Sequence, residues 1–176
     1  IDNEFDFNQY CTFNVINDND SNILTINLIY RSPNSNNENL DKLCNVLENS
    51  KDNEFNLFIG DFNMPDIDWK NYQSKNSKYS RFLSIINQKS FHQLIDFPTH
   101  SKGNILDIVL TNNPDCILNI ESFGNLSNSD HCIISIDVLS KYDSNDECDL
   151  MLNWNKADMN GLKNHFINSN IEANIT

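Results

Sequence analysis

Short apolar segments of two different periods alternate along this chain, and that alternation limits its fold more than any other feature. Residues Cys11–Ile16 and Ile23–Tyr30 alternate apolar and polar side chains, as half-buried strands do, with a turn-forming stretch from Asn17 to Asn22 between them. Residues Glu38–Ser50 place Leu40, Leu43, Cys44, Val46 and Leu47 at helical spacing on one face. The apolar run Phe55–Ile59, closed by Gly60, predicts an interior strand. A second helix is expected over Tyr79–Gln88, through Phe82, Leu83, Ile85 and Ile86. Further strands are expected at Phe91–Phe97, Ile105–Thr111, Cys116–Phe123 and Cys132–Val138. Strands interleaved with helices predict an α/β domain built in layers.

After Val138 the texture changes. Ser140–Asp149 is polar and charged, and reads as a linker to a short helix ending near Phe166. The expected organisation is one domain over residues 1–139 and a loosely attached segment over 140–176.

Composition narrows the partners. A formal net charge of -13 and a pI of about 4.4 argue against a broad basic surface for nucleic acid. They leave room for a site in which carboxylates gather around a cation. The five cysteines are odd in number and form no C-x-x-C pair, so a reducing, intracellular setting is the natural expectation. The longest apolar runs are too short to span a bilayer, and no membrane partner is expected. Asparagine is heavily over-represented, and stretches such as Asn34 to Asn39 read as solvated loops.

Polar groups cluster at the ends of the apolar strands, where α/β proteins build their sites. In Gly60-Asp61-Phe62-Asn63, an acid and an amide two residues apart point the same way in extended backbone. They face one ligand, or they form an Asx turn. Asp107 interrupts an apolar strand, and so needs a partner if it is buried or water if it is at an edge. In Ser129-Asp130-His131 the acid and the imidazole point to opposite sides and serve different partners. Tyr30, beside Arg31, offers a hydroxyl to a phosphate or is simply a half-buried aromatic.

The ordered set is more informative than its parts. Tyr30-Arg31-Ser32-Pro33, Gly60-Asp61-Phe62-Asn63, Leu106-Asp107-Ile108-Val109-Leu110-Thr111 and Ser129-Asp130-His131 together resemble the second half of the endonuclease/exonuclease/phosphatase superfamily. Gln93 to Thr99, the long strand through Asn112 and the Trp154–Asp158 segment make the chain similar to endonucleases of non-LTR retrotransposons. The resemblance covers roughly residues 10 to 165.

This resemblance implies half of a four-layer α/β sandwich, a mixed sheet with flanking helices. It also implies that an N-terminal half, carrying an asparagine and a metal-binding glutamate, is missing. Residue by residue, Asp61 resembles the acid that orients or deprotonates the attacking water, and Asn63 the amide that helps hold it. Asp130 resembles a metal-site acid, with Asp61 and Asn63 as further metal contacts. His131 resembles the histidine on the scissile phosphate, Asp107 its carboxylate partner, and Tyr30 the tyrosine that touches the phosphate.

The implied chemistry is magnesium-dependent hydrolysis of a DNA phosphodiester, with manganese as the alternative ion, weakened or lost through truncation. A reverse transcriptase domain is expected downstream, and action in the nucleus is implied by the resemblance alone. Two other readings stay open: a non-catalytic remnant or interaction fragment, and a phosphomonoesterase of the same superfamily.

Overall fold

The structure, a computed structural model, describes residues 10–16, 22–125 and 127–139, all within one compact unit, 1–142. The expected linker and short helix after residue 140 lie outside the described residues. In chain order the elements are β1 (Tyr10–Ile16), β2 (Asn22–Tyr30), α1 (Asn37–Asn49), β3 (Asn56–Asp61), β4 (Ile67–Asp68), β5 (Gln73–Ser74), α2 (Ser80–Gln88), β6 (His92–Gln93), β7 (Asp107–Thr111), β8 (Ile117–Asn125) and β9 (Cys132–Val138).

Five strands form one mixed sheet in the order β1-β2-β3-β7-β6. β2 and β3 run parallel, and α1 is the crossover that parallel neighbours require. The pairs β1–β2, β3–β7 and β6–β7 are antiparallel. Alternation along the central strands divides the interior. Phe58, Ile108 and Leu110 face the helices, where they meet Leu43, Leu47, Phe82 and Ile86. Leu57 and Val109 face the other way, toward Leu24, Ile95 and the apolar side of the β8–β9 hairpin, including Ile134 and Ile136. Thus the helices cover one face of the sheet and the hairpin part of the other. Toward its end β2 emerges from this cover, and Leu28 and Tyr30 are exposed.

Helix α1 starts where Asn36 accepts a hydrogen bond from the Asn39 amide, satisfying an orphan donor of the first turn. Arg81 of α2 reaches Asp41, Asn45 and Glu48 of α1 and ties the two helices across their exposed seam. A 3₁₀ turn, Ser77–Tyr79, precedes α2, so the α-helix begins one residue later than its apolar pattern indicates.

Two strands are shorter than their sequences predict. Of Phe91–Phe97, His92 and Gln93 form the strand, and the Leu94 amide extends the pairing by one bond to the Val109 carbonyl. The Gln93 side chain bonds both the amide and the carbonyl of Ile95, taking the place of ladder partners. β7 begins at Asp107 because the groups ahead of it are engaged elsewhere. The buried Thr99 hydroxyl accepts from the amides of Leu106 and Asp107, while the Leu106 carbonyl still takes the Phe62 amide in the register of β3 and β7. Asp107 therefore stands at the mouth of its strand and not inside an apolar run.

Candidate active site

Three strand ends and one loop converge on a cleft of about 680 Å³. Register explains the convergence. Asp61, the last residue of β3, pairs with Tyr30 of β2 on one side and with Asp107 of β7 on the other. Side chains of paired residues share a face, so two acids that are 46 positions apart in the chain become neighbours. The cleft is lined by Tyr30, Asp61, Asn63, His100, Asp107, Asp130 and His131, among others. Every residue singled out from the sequence reaches it.

The backbone that presents these groups is locally unusual. Gly60 sits at φ 133°, and a Cβ there would collide with the carbonyl oxygen of Ile29. Only glycine lets β2 and β3 approach so closely just before the acid. Asn63 adopts φ 47°, a left-handed conformation that asparagine tolerates better than most residues.

Asp61 and Asn63 form an Asx turn, as one of the two sequence readings has it, and the turn itself faces the cleft. The Asn63 amide donates to Asp61 Oδ1 at 3.0 Å, and Asn63 Nδ2 donates to Asp61 Oδ2 at 2.7 Å. Nδ2 also donates to the Arg31 carbonyl at 2.8 Å. With both of its amide hydrogens engaged, Asn63 retains its side-chain oxygen as the group available to a donor or cation.

Arg31 completes this corner. Its guanidinium is almost wholly buried and donates to the carbonyls of Asn63 at 3.2 Å and Ser35 at 3.3 Å. Arg31 and Asn63 thus hold each other through opposite backbone carbonyls.

The imidazole of His131 is the hub of the other corner. Its Nδ1 lies 2.7 Å from Asp107 Oδ2, and its Nε2 lies 3.9 Å from both Asp61 Oδ2 and Asp130 Oδ1. Burial works to lower the His131 pKa. The hydrogen bond and charge of Asp107, joined by the charges of Asp61 and Asp130, outweigh it and raise the value above the ordinary 6.5. Burial, and then the charge of Asp107, raise the Asp61 carboxyl above its ordinary 3.8, although Asn63 and His131 pull the other way. Asp130, on the open side, is held below the usual carboxylate value, first by its own backbone amide and also by His100.

One site residue escaped the sequence reading. His100 follows the Gln93 to Thr99 motif immediately, and its ring packs edge-on against His131 with centroids 5.0 Å apart. Its Nε2 lies 3.0 Å from Asp130 Oδ2. Its place directly after Pro98-Thr99 was the available signal. Arg31 belongs to the Tyr30–Pro33 motif, and nothing in the sequence indicates its burial. The ligand atoms of Asp61, Asp107 and His131 lie within 4.8 Å of one another, as do those of His100, Asp130 and His131.

A mixed sheet with helices on one face, and with acids, an amide and a histidine gathered at its strand ends, is here the fold of an endonuclease/exonuclease/phosphatase domain, as the family match and the structural likeness below show. Within that class the chain belongs to the endonuclease-reverse transcriptase family, which matches it over residues 24–135. No curated protein sequence matches the chain.

Among solved structures, the endonuclease domain of TRAS1, a telomere-specific non-LTR retrotransposon, is similar at TM-score 0.60 and 18% identity. That alignment covers 77% of this chain and 64% of TRAS1's domain. An AP endonuclease from Archaeoglobus fulgidus aligns at TM-score 0.51 and 13% identity, covering 65% of this chain and 61% of the other. The chain thus spans a little under two thirds of the length of either relative.

Proposed function

We propose that this chain carries the catalytic groups of a retrotransposon-type endonuclease that nicks DNA by divalent-ion-dependent hydrolysis of a phosphodiester. The observation that carries the reading is the Asp61–His131–Asp107 cluster at the mouth of the central strands, with Asn63 and Asp130 on the same cleft.

The contacts support these roles. Asp107 accepts the Nδ1 proton of His131, which turns Nε2 toward the cleft and favours the cationic ring. A cation there can neutralise charge that develops on a phosphate oxygen. Asp61, made more basic by burial and by Asp107, is suited to orient an attacking water and take its proton. Asn63 holds Asp61 through two donors and keeps its own oxygen for the water or an ion. Tyr30 is exposed on the cleft next to Asp61, with its hydroxyl available to a phosphate oxygen.

The donor set suits a hard divalent cation. Carboxylate and amide oxygens are the ligands such ions prefer, and Asp61, Asn63 and Asp130 would hold it. The ligand atoms of Asp61 and Asp107 lie within 4.8 Å, and two carboxylates about 5 Å apart repel by roughly 3 kcal/mol at an effective dielectric near 20, a repulsion that a bound cation relieves. Magnesium, or manganese in its place, would supply charge neutralisation at the scissile phosphate when bound. DNA is the proposed substrate, and a reverse transcriptase domain the proposed downstream neighbour, in keeping with the family to which the chain belongs.

The test is relaxation of supercoiled plasmid by the purified chain, with and without magnesium. Magnesium-dependent nicking that Asp61→Ala abolishes supports the reading. Folded chain that leaves the plasmid supercoiled with either ion overturns activity of this chain alone.

A further inference from the structure

The cleft holds a second histidine whose hydrogen-bonding pattern fixes its role. His100 Nδ1 accepts a hydrogen bond from the Lys102 backbone amide at 3.1 Å. A ring nitrogen that accepts carries no proton, so the proton of the neutral ring sits on Nε2. That nitrogen faces Asp130 Oδ2 at 3.0 Å. With Nδ1 accepting, His100 donates through Nε2 to Asp130, and Nε2 has no lone pair free for a metal. The three-residue group of His100, Asp130 and His131 lies within 4.8 Å, yet ligation through His100 Nε2 would move its proton to Nδ1. There it would face the Lys102 N–H and break that bond.

Backbone contacts hold the surrounding loop independently of this side chain. The Ser101 amide donates to the Asp130 carbonyl at 2.8 Å, the Cys132 amide to the Thr99 carbonyl at 2.9 Å, and His100 and His131 form an isolated β-bridge. These bonds set the position of the Asp130 backbone. They do not orient its carboxylate, whose side chain is 64% exposed and is engaged otherwise by its own backbone amide. The ring of His100 is 9% exposed and supplies the side-chain hydrogen bond that restrains this acid.

We infer that His100 is a positioning residue: with Nδ1 held by the Lys102 amide, its Nε2–H orients the Asp130 carboxylate for a divalent cation. This rests on the reading of the cleft as a metal-dependent site. Partners of this kind, standing behind a metal ligand, change metal affinity by about 10- to 100-fold when removed.

The experiment has two arms. In the first, nitrogen-15 histidine spectra of the wild-type chain are recorded at pH 8.5, above the ordinary histidine range. The expected result is the Nε2–H tautomer for His100, with the Nε2 proton shifted in Asp130→Ala. An Nδ1–H tautomer overturns the assignment without any variant of His100.

In the second arm, calorimetric titration measures magnesium binding to the wild type, His100→Gln and His100→Leu, each checked for folding by circular dichroism. Glutamine places a donor near the position of Nε2 and is expected to bind within about twofold of wild type, whereas leucine is expected to bind about tenfold more weakly. Equal binding by His100→Leu overturns the inference, and so does a folded wild type that binds no magnesium. A chain that shows the expected His100 dependence of binding but does not nick DNA overturns nicking by this chain alone and leaves this inference standing.

Discussion

His131 Nδ1 and Asp107 Oδ2 lie 2.7 Å apart, although 24 residues separate them in the chain. The bond joins the start of β7 to the entrance of β9, and it decides which imidazole nitrogen faces the cleft. Because Asp107 raises the His131 pKa, the cationic ring persists to higher pH than an isolated histidine would allow. Replacing Asp107 with Asn removes the charge but keeps the shape. His131 then loses its proton at lower pH, so the alkaline limb of the nicking profile should move to lower pH. The maximal rate should fall by about a hundredfold. Nicking rates from pH 6 to 9 at fixed magnesium check both effects, and an unmoved alkaline limb would remove His131 protonation from the mechanism.

Asp61→Asn should leave the folded chain inactive, and its stability should depend on pH in a defined sense. The Asp61 pKa is raised in the folded state, mainly by burial and then by Asp107. The folded state thus holds the proton more tightly than the unfolded one. The stability this contributes is present below the ordinary value of 3.8 and is lost as pH rises through the raised value. Asn does not titrate. Without divalent ions, the stability of the variant relative to wild type should therefore increase between pH 3 and pH 6. Urea unfolding at several pH values measures it, and a constant difference would contradict the raised pKa.

Gly60→Ala tests the close approach of β2 and β3. The added Cβ meets the Ile29 carbonyl oxygen, and φ 133° is strained for any residue with a side chain. A cost of about 3 kcal/mol or more is expected, from strained backbone and steric overlap together. Urea denaturation, or failure to obtain soluble chain, would register it. A stability within about 1 kcal/mol of wild type, the size of an ordinary substitution, would show that the strands separate without penalty.

Arg31→Met keeps much of the buried bulk and removes the donors to the carbonyls of Asn63 and Ser35. Leaving these groups without a partner should cost about 2 kcal/mol. Nicking should fall more than the stability loss explains, because Asn63 loses one of the contacts that fix its left-handed turn. Comparing rates at a temperature where both proteins are fully folded separates the two effects.

Much of this was legible in the chain itself. Alternating apolar residues, continuous apolar runs and helical-period patterns located the strands β1, β2, β3 and β9 and both helices to within a residue or two, because burial is a local demand on sequence. The strand-end acids, the amide and the histidine announced themselves because polar groups beside apolar runs need a reason. The expected strand at Phe91–Phe97 shrank to two residues because the Gln93 side chain competes with the ladder, a contact that periodicity does not encode.

Tertiary structure alone decided which of these groups meet. Asp61 faces Asp107 through the β3–β7 register, and register depends on how two distant strands pack on a shared core. The same holds for His100, whose place beside Asp130 comes from a bridge between its loop and His131. It holds also for Arg31, buried because the Asn63 turn closes over it. Sequence determined the elements and the chemical groups they carry, since these depend on near neighbours along the chain. Hydrogen-bond partners, protonation and the shape of the cleft arose only when strands far apart in sequence were brought into register.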